Sequence, residues 1–279
     1  MAKSGAAAFT GSSAMLAEAI HSFADAGNQG LLLWGMKQAK RPPSPDYPLG
    51  WGKAVFFWSF IVALVLFSLG GLFSLYEGWH KLHSTEGLNS PWVAVGILVF
   101  GIVAECVSLR ACMEEIDKVR NGRSYWRWFR ESRQSELVVI FGEDIAALFG
   151  LVLALLAILL AILTGDPVWD ALGSMSIGAL LIFVAIGIAI EIKGLLIGQS
   201  AAPEAEARLR EFLQRQEGVD KVLRLLTLHL GTSFMVAVKL KMSSRSVEEL
   251  VASINRAEAA TRAEFPEIQW LFVEPDTAD

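Results

Sequence analysis

From Ala54 to Ile192 the chain alternates long apolar runs with short polar interruptions. That pattern predicts helices able to cross a bilayer, which takes about 20 apolar residues. The runs fall at about Ala54–Glu77, Trp92–Cys112, Glu136–Thr164 and Trp169–Ile192. Trp58 and Tyr76 flank the first as interfacial aromatics. Gly70, Gly71, Gly173, Ser174, Ser176 and Gly178 provide small surfaces for close helix packing. An earlier helix, about Ala14–Met36, completes five spans and has a different pattern. Glu18, His21, Ser22, Asp25, Asn28 and Gln29 share one arc at 100° per residue, and apolar residues take the rest of the circle.

Beyond Ser200 the pattern changes to that of a water-soluble domain. Pro203 suits the first turn of a helix, with Glu204 and Glu206 favourable to its dipole. Lys221–Leu230 and Phe234–Met242 read as strands around a Gly231-Thr232 turn, the second alternating strictly. Ser246 and Glu249 form a capping box for a helix ending near Glu264, and Gln269–Val273 reads as a last strand. The order αββαβ predicts a small open sheet with helices on one face. The expected division is therefore a membrane domain at 1–198 and a soluble α+β domain at 199–279.

Composition agrees. The 279 residues are 53% hydrophobic and 19% charged, with a mean hydropathy of +0.45, against about 25% charged in soluble domains. A net charge of -5 gives no basic field for nucleic acid. The segment Met113–Ser135 mixes Arg with Tyr125, Trp126, Trp128 and Phe129, and its place between two spans predicts a belt on lipid headgroups. Cys106 and Cys112 form no CxxC pair and read as packing residues. Basic residues concentrate in the loops at 37–53 and 113–135, on the side of the C-terminal domain, while the opposite linkers offer only Lys81. The positive-inside rule makes that side cytoplasmic and predicts a multi-pass protein of a bacterial inner membrane.

Ionisable groups inside spans need a reason to be there. His21 and Asp25, one turn apart, suit borderline divalent metals. Glu143 and Asp144 form a second acidic cluster, but adjacent positions point about 100° apart, so both cannot face one small site equally. Glu105 is a third candidate. Gly142, Ala146 and Gly150 would bring another helix close; if it is the first, a carboxylate here completes a site with His21 and Asp25. No HExxH or GxSxG motif suggests an enzyme.

The stretches TGSSAMLAEAIHSFADAGNQ, PLGWGKAVFFW, FSLGGLFSLYEG, GEDIAALFG and DALGSMSIGALL, with EIKGLLIGQSA, together resemble the cation diffusion facilitator family of zinc and related metal transporters. The resemblance implies a homodimer in a lipid bilayer, with six helices per subunit and a cytoplasmic ferredoxin-like domain. It implies divalent-metal/proton antiport by alternating access. No prosthetic group is expected; the cargo is Zn²⁺ first, with Fe²⁺, Mn²⁺ and Co²⁺ as the other candidates. The family's paired ligand positions carry over to His21 and Asp25, then to Ile140 and Asp144. Ile140 cannot bind metal, so Glu143, Glu105 or water would supply a fourth ligand, with Asn28 and Gln29 orienting the set from behind. Because ligands must be deprotonated, metal loading expels protons and protonation expels metal.

Further departures follow. Of the family's loop metal site only Asp46 is left, beside Tyr47 and Trp51, and the C-terminal domain has one histidine, His229. His80 and His83 lie at the far interface and read as solvated. Of the family's first helix only AKSGAAAF is present, so the chain is expected to start late relative to that pattern. The alternative function is a degenerate member that binds a partner or senses metal without transporting it.

Overall fold

The computed structural model describes residues 13–83, 91–244 and 246–278, without the side chains at 13, 14, 17, 18 and 21. The stretch before residue 13, where a family first helix would lie, and the linker 84–90 fall outside the described residues. In chain order the helices are α1 Ser13–Ala39, α2 Ala54–Leu82, α3 Pro91–Val119, α4 Tyr125–Glu131, α5 Ser135–Thr164 and α6 Val168–Ile197. Then come α7 Pro203–Gln214, β1 Val219–Leu230, β2 Ser233–Met242, α8 Val247–Glu264 and β3 Ile268–Pro275.

Among the described residues four helices, α2, α3, α5 and α6, are long and apolar enough to cross a membrane. Five had been expected. The polar stripe of α1 dilutes its apolar character, although the helix runs for 27 residues. Helix α3 continues past the predicted end at Cys112, because Met113–Val119 is stabilised by ion pairs one turn apart: Arg110 with Glu114 at 3.2 Å, and Lys118 with Glu115 at 2.5 Å. It ends where Asn121 and Gly122 take positive φ of 49° and 75°. The aromatic segment that follows is divided in two: Trp126 is 73% exposed, whereas Trp128 is buried in a cluster with Cys112, Ile116 and Val138. Cys112 thus packs as expected, but Cys106 is exposed.

The chain forms two compact units. The first gathers residues up to Gly35 with Phe57–Arg130 and Ser135–Lys193. One close seam joins α2 and α6. Leu66–Leu72 of α2 is π-helical, a feature the periodicity did not announce. Ser74 Oγ donates to the Gly70 carbonyl at 2.6 Å, and Ser174 Oγ donates across the seam to the Ser74 carbonyl at 2.9 Å. A β-carbon at Gly178 would stand 2.7 Å from the Leu75 amide nitrogen, so only glycine lets the backbones meet there. Ser176, also expected to serve contact, is exposed and bonds back to Leu172 in its own helix.

The second unit comprises Met36–Phe56, Glu131–Gln134 and Gly194–Asp279. Its sheet has the order β1-β2-β3, with β1 and β2 antiparallel and β2 and β3 parallel. Phe234, Val236, Val238 and Leu240 point into a core with Leu209, Leu213, Phe265 and Ile268, as their alternation predicted. Pro203 opens α7, and Ser246 caps α8 by accepting from the Glu249 amide at 3.2 Å. The α1–α2 loop is part of this unit. The rings of Tyr47 and Trp51 meet at a tilt of 37° with centroids 3.9 Å apart, and the Arg41 guanidinium lies over Trp51 at 5.4 Å. A β-carbon at Gly52 would stand 2.0 Å from the Leu230 carbonyl oxygen, and one at Gly231, where φ is +80°, would stand 2.6 Å from the Gly52 carbonyl oxygen. Gly52→Ala must push this backbone joint apart, and its expected cost is about 1–3 kcal/mol. Comparing the unfolding of the Ala variant with wild type checks this.

His229, beside that joint, stacks on Phe56 with ring centroids 5.8 Å apart, and among the described residues neither ring nitrogen has a hydrogen-bond partner in good geometry. Burial, then the positive charge of Arg133, pushes its pKa down to about 4. A histidine held neutral takes up its proton first in the unfolded chain, so its contribution to stability is complete above its unfolded pKa of about 6.5. That contribution is lost as pH falls through about 6.5 toward the folded value. Thermal melts at pH 7 and pH 4.5 should show a smaller pH-dependent loss in His229→Phe than in wild type.

Candidate metal centre

The polar stripe of α1 continues into the first unit as a cleft of about 260 Å³. Asp25 and Gln29 from α1, Ala104, Glu105 and Ser108 from α3, and Ile140, Glu143, Asp144 and Ala147 from α5 line it. The sequence reading expected another helix beside the small-residue series of α5; α1 meets α5 through Asn28 and Glu143. A β-carbon at Gly142, however, would stand 2.7 Å from Ile188, so that member of the series seats α6 instead.

The two adjacent carboxylates take different environments, as their angular separation demands. Glu143 is 5% exposed, and its Oε1 accepts a hydrogen bond of 2.5 Å from Nδ2 of Asn28, which is fully buried. Asp144 is only partly buried. Ser108 Oγ donates to its Oδ1 at 3.4 Å, while its Oδ2 has no partner among the described residues. Asp25 and Glu105 are likewise partly buried, and Gln29 is exposed on the rim. Ser108 escaped the sequence reading, although its i, i+3 spacing from Glu105 puts both on one face of α3.

His21 lies on α1 one turn before Asp25, but its side chain is outside the described set. Among the described residues no three His, Cys, Asp or Glu side chains gather closely enough to hold a metal ion. What they form is an acidic cleft walled by apolar helices, whose field favours a cation over an anion. Ile140, one turn before Asp144, presents an apolar wall to it. The other histidines lie apart: His80 and His83 are exposed near the end of α2, where His83 Nδ1 is 2.9 Å from the Trp79 carbonyl oxygen, and His229 belongs to the second unit.

Residues 1–197 match the family defined by the cation efflux transmembrane domain. The chain is 34% identical over 227 residues to the mitochondrial proton-coupled zinc antiporter SLC30A9 of Xenopus laevis, an alignment covering 81% of this chain and 41% of that protein. The human SLC30A9 protein is 32% identical over 225 residues, covering 80% of this chain and 40% of its own length. Metal tolerance protein C4 of Arabidopsis thaliana is 28% identical over 210 residues, or 75% and 46%. The chain thus spans less than half the length of these relatives. The expectation of a bacterial inner membrane is overturned, because the frog and human relatives carry a mitochondrial designation. Loop charge reports which side of a membrane a loop occupies and says nothing about which membrane it is. With 197 of its 279 residues inside the family match, the chain belongs to the cation efflux family.

Proposed function

We propose that this chain transports divalent metal cations by alternating access, taking Zn²⁺ first and exchanging it for protons. The observation that carries the reading is the acidic cleft, in which Asp25, Glu105 and Asp144 come from three different helices of a largely apolar unit. A carboxylate in such surroundings is expensive unless it serves a path for ions or protons. The names of the frog and human relatives, proton-coupled zinc antiporters, support the cargo and the counter-ion. In this reading His21, Asp25 and Asp144 hold the metal, Glu105 adds charge from α3, and Gln29 and Ser108 orient carboxylate oxygens. Ile140 leaves one coordination position to Glu105 or water. Protons and metal compete for the same oxygens, which couples the two fluxes when the cleft opens to each side in turn. A homodimer of six-helix bundles with ferredoxin-like C-terminal domains belongs to the same reading.

The direct test is uptake into proteoliposomes under an imposed pH gradient, with Zn²⁺, Fe²⁺, Mn²⁺ and Co²⁺ offered separately. Gradient-dependent Zn²⁺ flux is expected in the wild type. Asp25→Ala and Asp144→Ala should each lower it by about 100-fold or more, the scale of a lost metal ligand, with folding retained by size-exclusion profile. Full flux in either variant removes that residue from the site. Absence of flux for every metal would favour the non-transporting alternative.

A further inference from the structure

We infer that the Asn28–Glu143 hydrogen bond is a latch between α1 and α5, closed in the state described here and released in the other access state. Asn28 and Glu143 are then positioning residues that set the cleft's shape, and Glu143 is not a metal ligand. The inference rests on reading the cleft as a transport site.

Three observations carry it. The first is where Glu143 points. Both acids line the cleft, but among the described residues Asp144 keeps an unpartnered Oδ2 there, whereas Glu143 is 5% exposed and commits Oε1 to Asn28 at 2.5 Å. The bond joins residues 115 apart in sequence and is made by a fully buried amide.

The second is that the pair is incompletely satisfied. Among the described residues Asn28 Oδ1 is buried with no hydrogen-bond partner. A permanent strut in an apolar bundle would be expected to meet every buried polar group, because an unmet one costs about 1–3 kcal/mol. A pair that trades partners between two arrangements meets different groups in each, so one arrangement can leave an acceptor waiting.

The third is leverage. Asn28 is three residues from Asp25, on the same side of α1, and Glu143 directly precedes Asp144 on α5. Any shift of α1 that breaks the latch therefore moves Asp25 relative to Asp144, and closing the latch restores their separation. The bond thus links the spacing of two candidate ligands to the register of the helices that carry them.

Full-length protein in proteoliposomes tests this with Zn²⁺ as the probe, reading maximal flux, half-saturating Zn²⁺ and thermal midpoint. Asn28→Leu should lower maximal flux about tenfold, the worth of one buried hydrogen bond between two states, with half-saturating Zn²⁺ within about twofold of wild type. Glu143→Gln keeps an acceptor for Asn28 and should hold flux within about threefold. In the double variant Asn28→Leu/Glu143→Leu the apolar pair should recover the thermal midpoint but not the flux. Recovery of both would reduce the pair to packing and overturn the latch. A rise in half-saturating Zn²⁺ in Glu143→Gln as large as in Asp144→Ala would make Glu143 a ligand and overturn it as well.

Spin labels on Phe23→Cys of α1 and Phe149→Cys of α5, both exposed positions, in a Cys106→Ser background, give a readout independent of flux. The latch predicts that Asn28→Leu redistributes the α1–α5 distance between two populations. One unchanged distance overturns the latch, whatever the flux. A redistribution in a wild type that carries no Zn²⁺ leaves the latch standing and removes the transport reading.

Discussion

A carboxylate carried into an apolar helix bundle has to be met by a donor or a cation, since nothing there replaces the water it has lost. Glu143 is met by Asn28. That one contact fixes more than its own energy suggests. It joins α1 to α5 beside the cleft that Asp25 and Asp144 also line. Asp144, rotated about 100° from Glu143, is thereby turned toward α3, where Ser108 touches one of its oxygens. The cleft follows from satisfying the neighbour of its central residue.

The rest of the first unit supplies rigidity elsewhere. Along α2 and α6, backbone and hydroxyl groups meet directly because Gly70, Gly71 and Gly178 remove the side chains that would hold the helices apart. Dispersion and short hydrogen bonds accumulate on such a surface without any charge having to be desolvated. The contrast with the cleft is physical: one helix pair packs through small groups with its visible polar bonds made, while the other meets through a polar pair that leaves a buried acceptor unmet.

Much of this was legible in the sequence. Apolar runs of span length, the strict alternation from Phe234 to Met242, Pro203 and Ser246 each encode a local preference that tertiary structure had no cause to override. The angular argument separated Glu143 from Asp144 correctly but could not say which would face inward, because that depends on Asn28, more than a hundred residues away in the chain. The π-helical turn in α2 was silent for a similar reason: glycines permit it, but the contact with α6 decides it. The α1–α2 loop read as irregular from its prolines, and nothing local reveals that Gly52 meets Leu230 or that Phe56 stacks on His229. Family resemblance supplied the candidate ligand positions, and Ile140 marks where this chain differs from that pattern.

Ile140 also changes what the cleft asks of a metal. With an apolar wall one turn before Asp144, α5 brings two adjacent carboxylates to the cavity, and one of them, Glu143, is engaged by Asn28. On the proposed reading, the remaining donors have to come from α1 and α3. Among the described residues no three of these groups gather around one point, so on that reading an ion would draw the helices together. An ion held by donors from three helices favours the arrangement that brings them together and releases it when they separate, by as much as its affinity for the two arrangements differs. A preformed cage on one helix would bind more tightly and gain nothing from such motion. On the proposed reading, a cleft with Ile140 at one ligand position and an amide–carboxylate contact between its helices suits release of the ion as well as its capture.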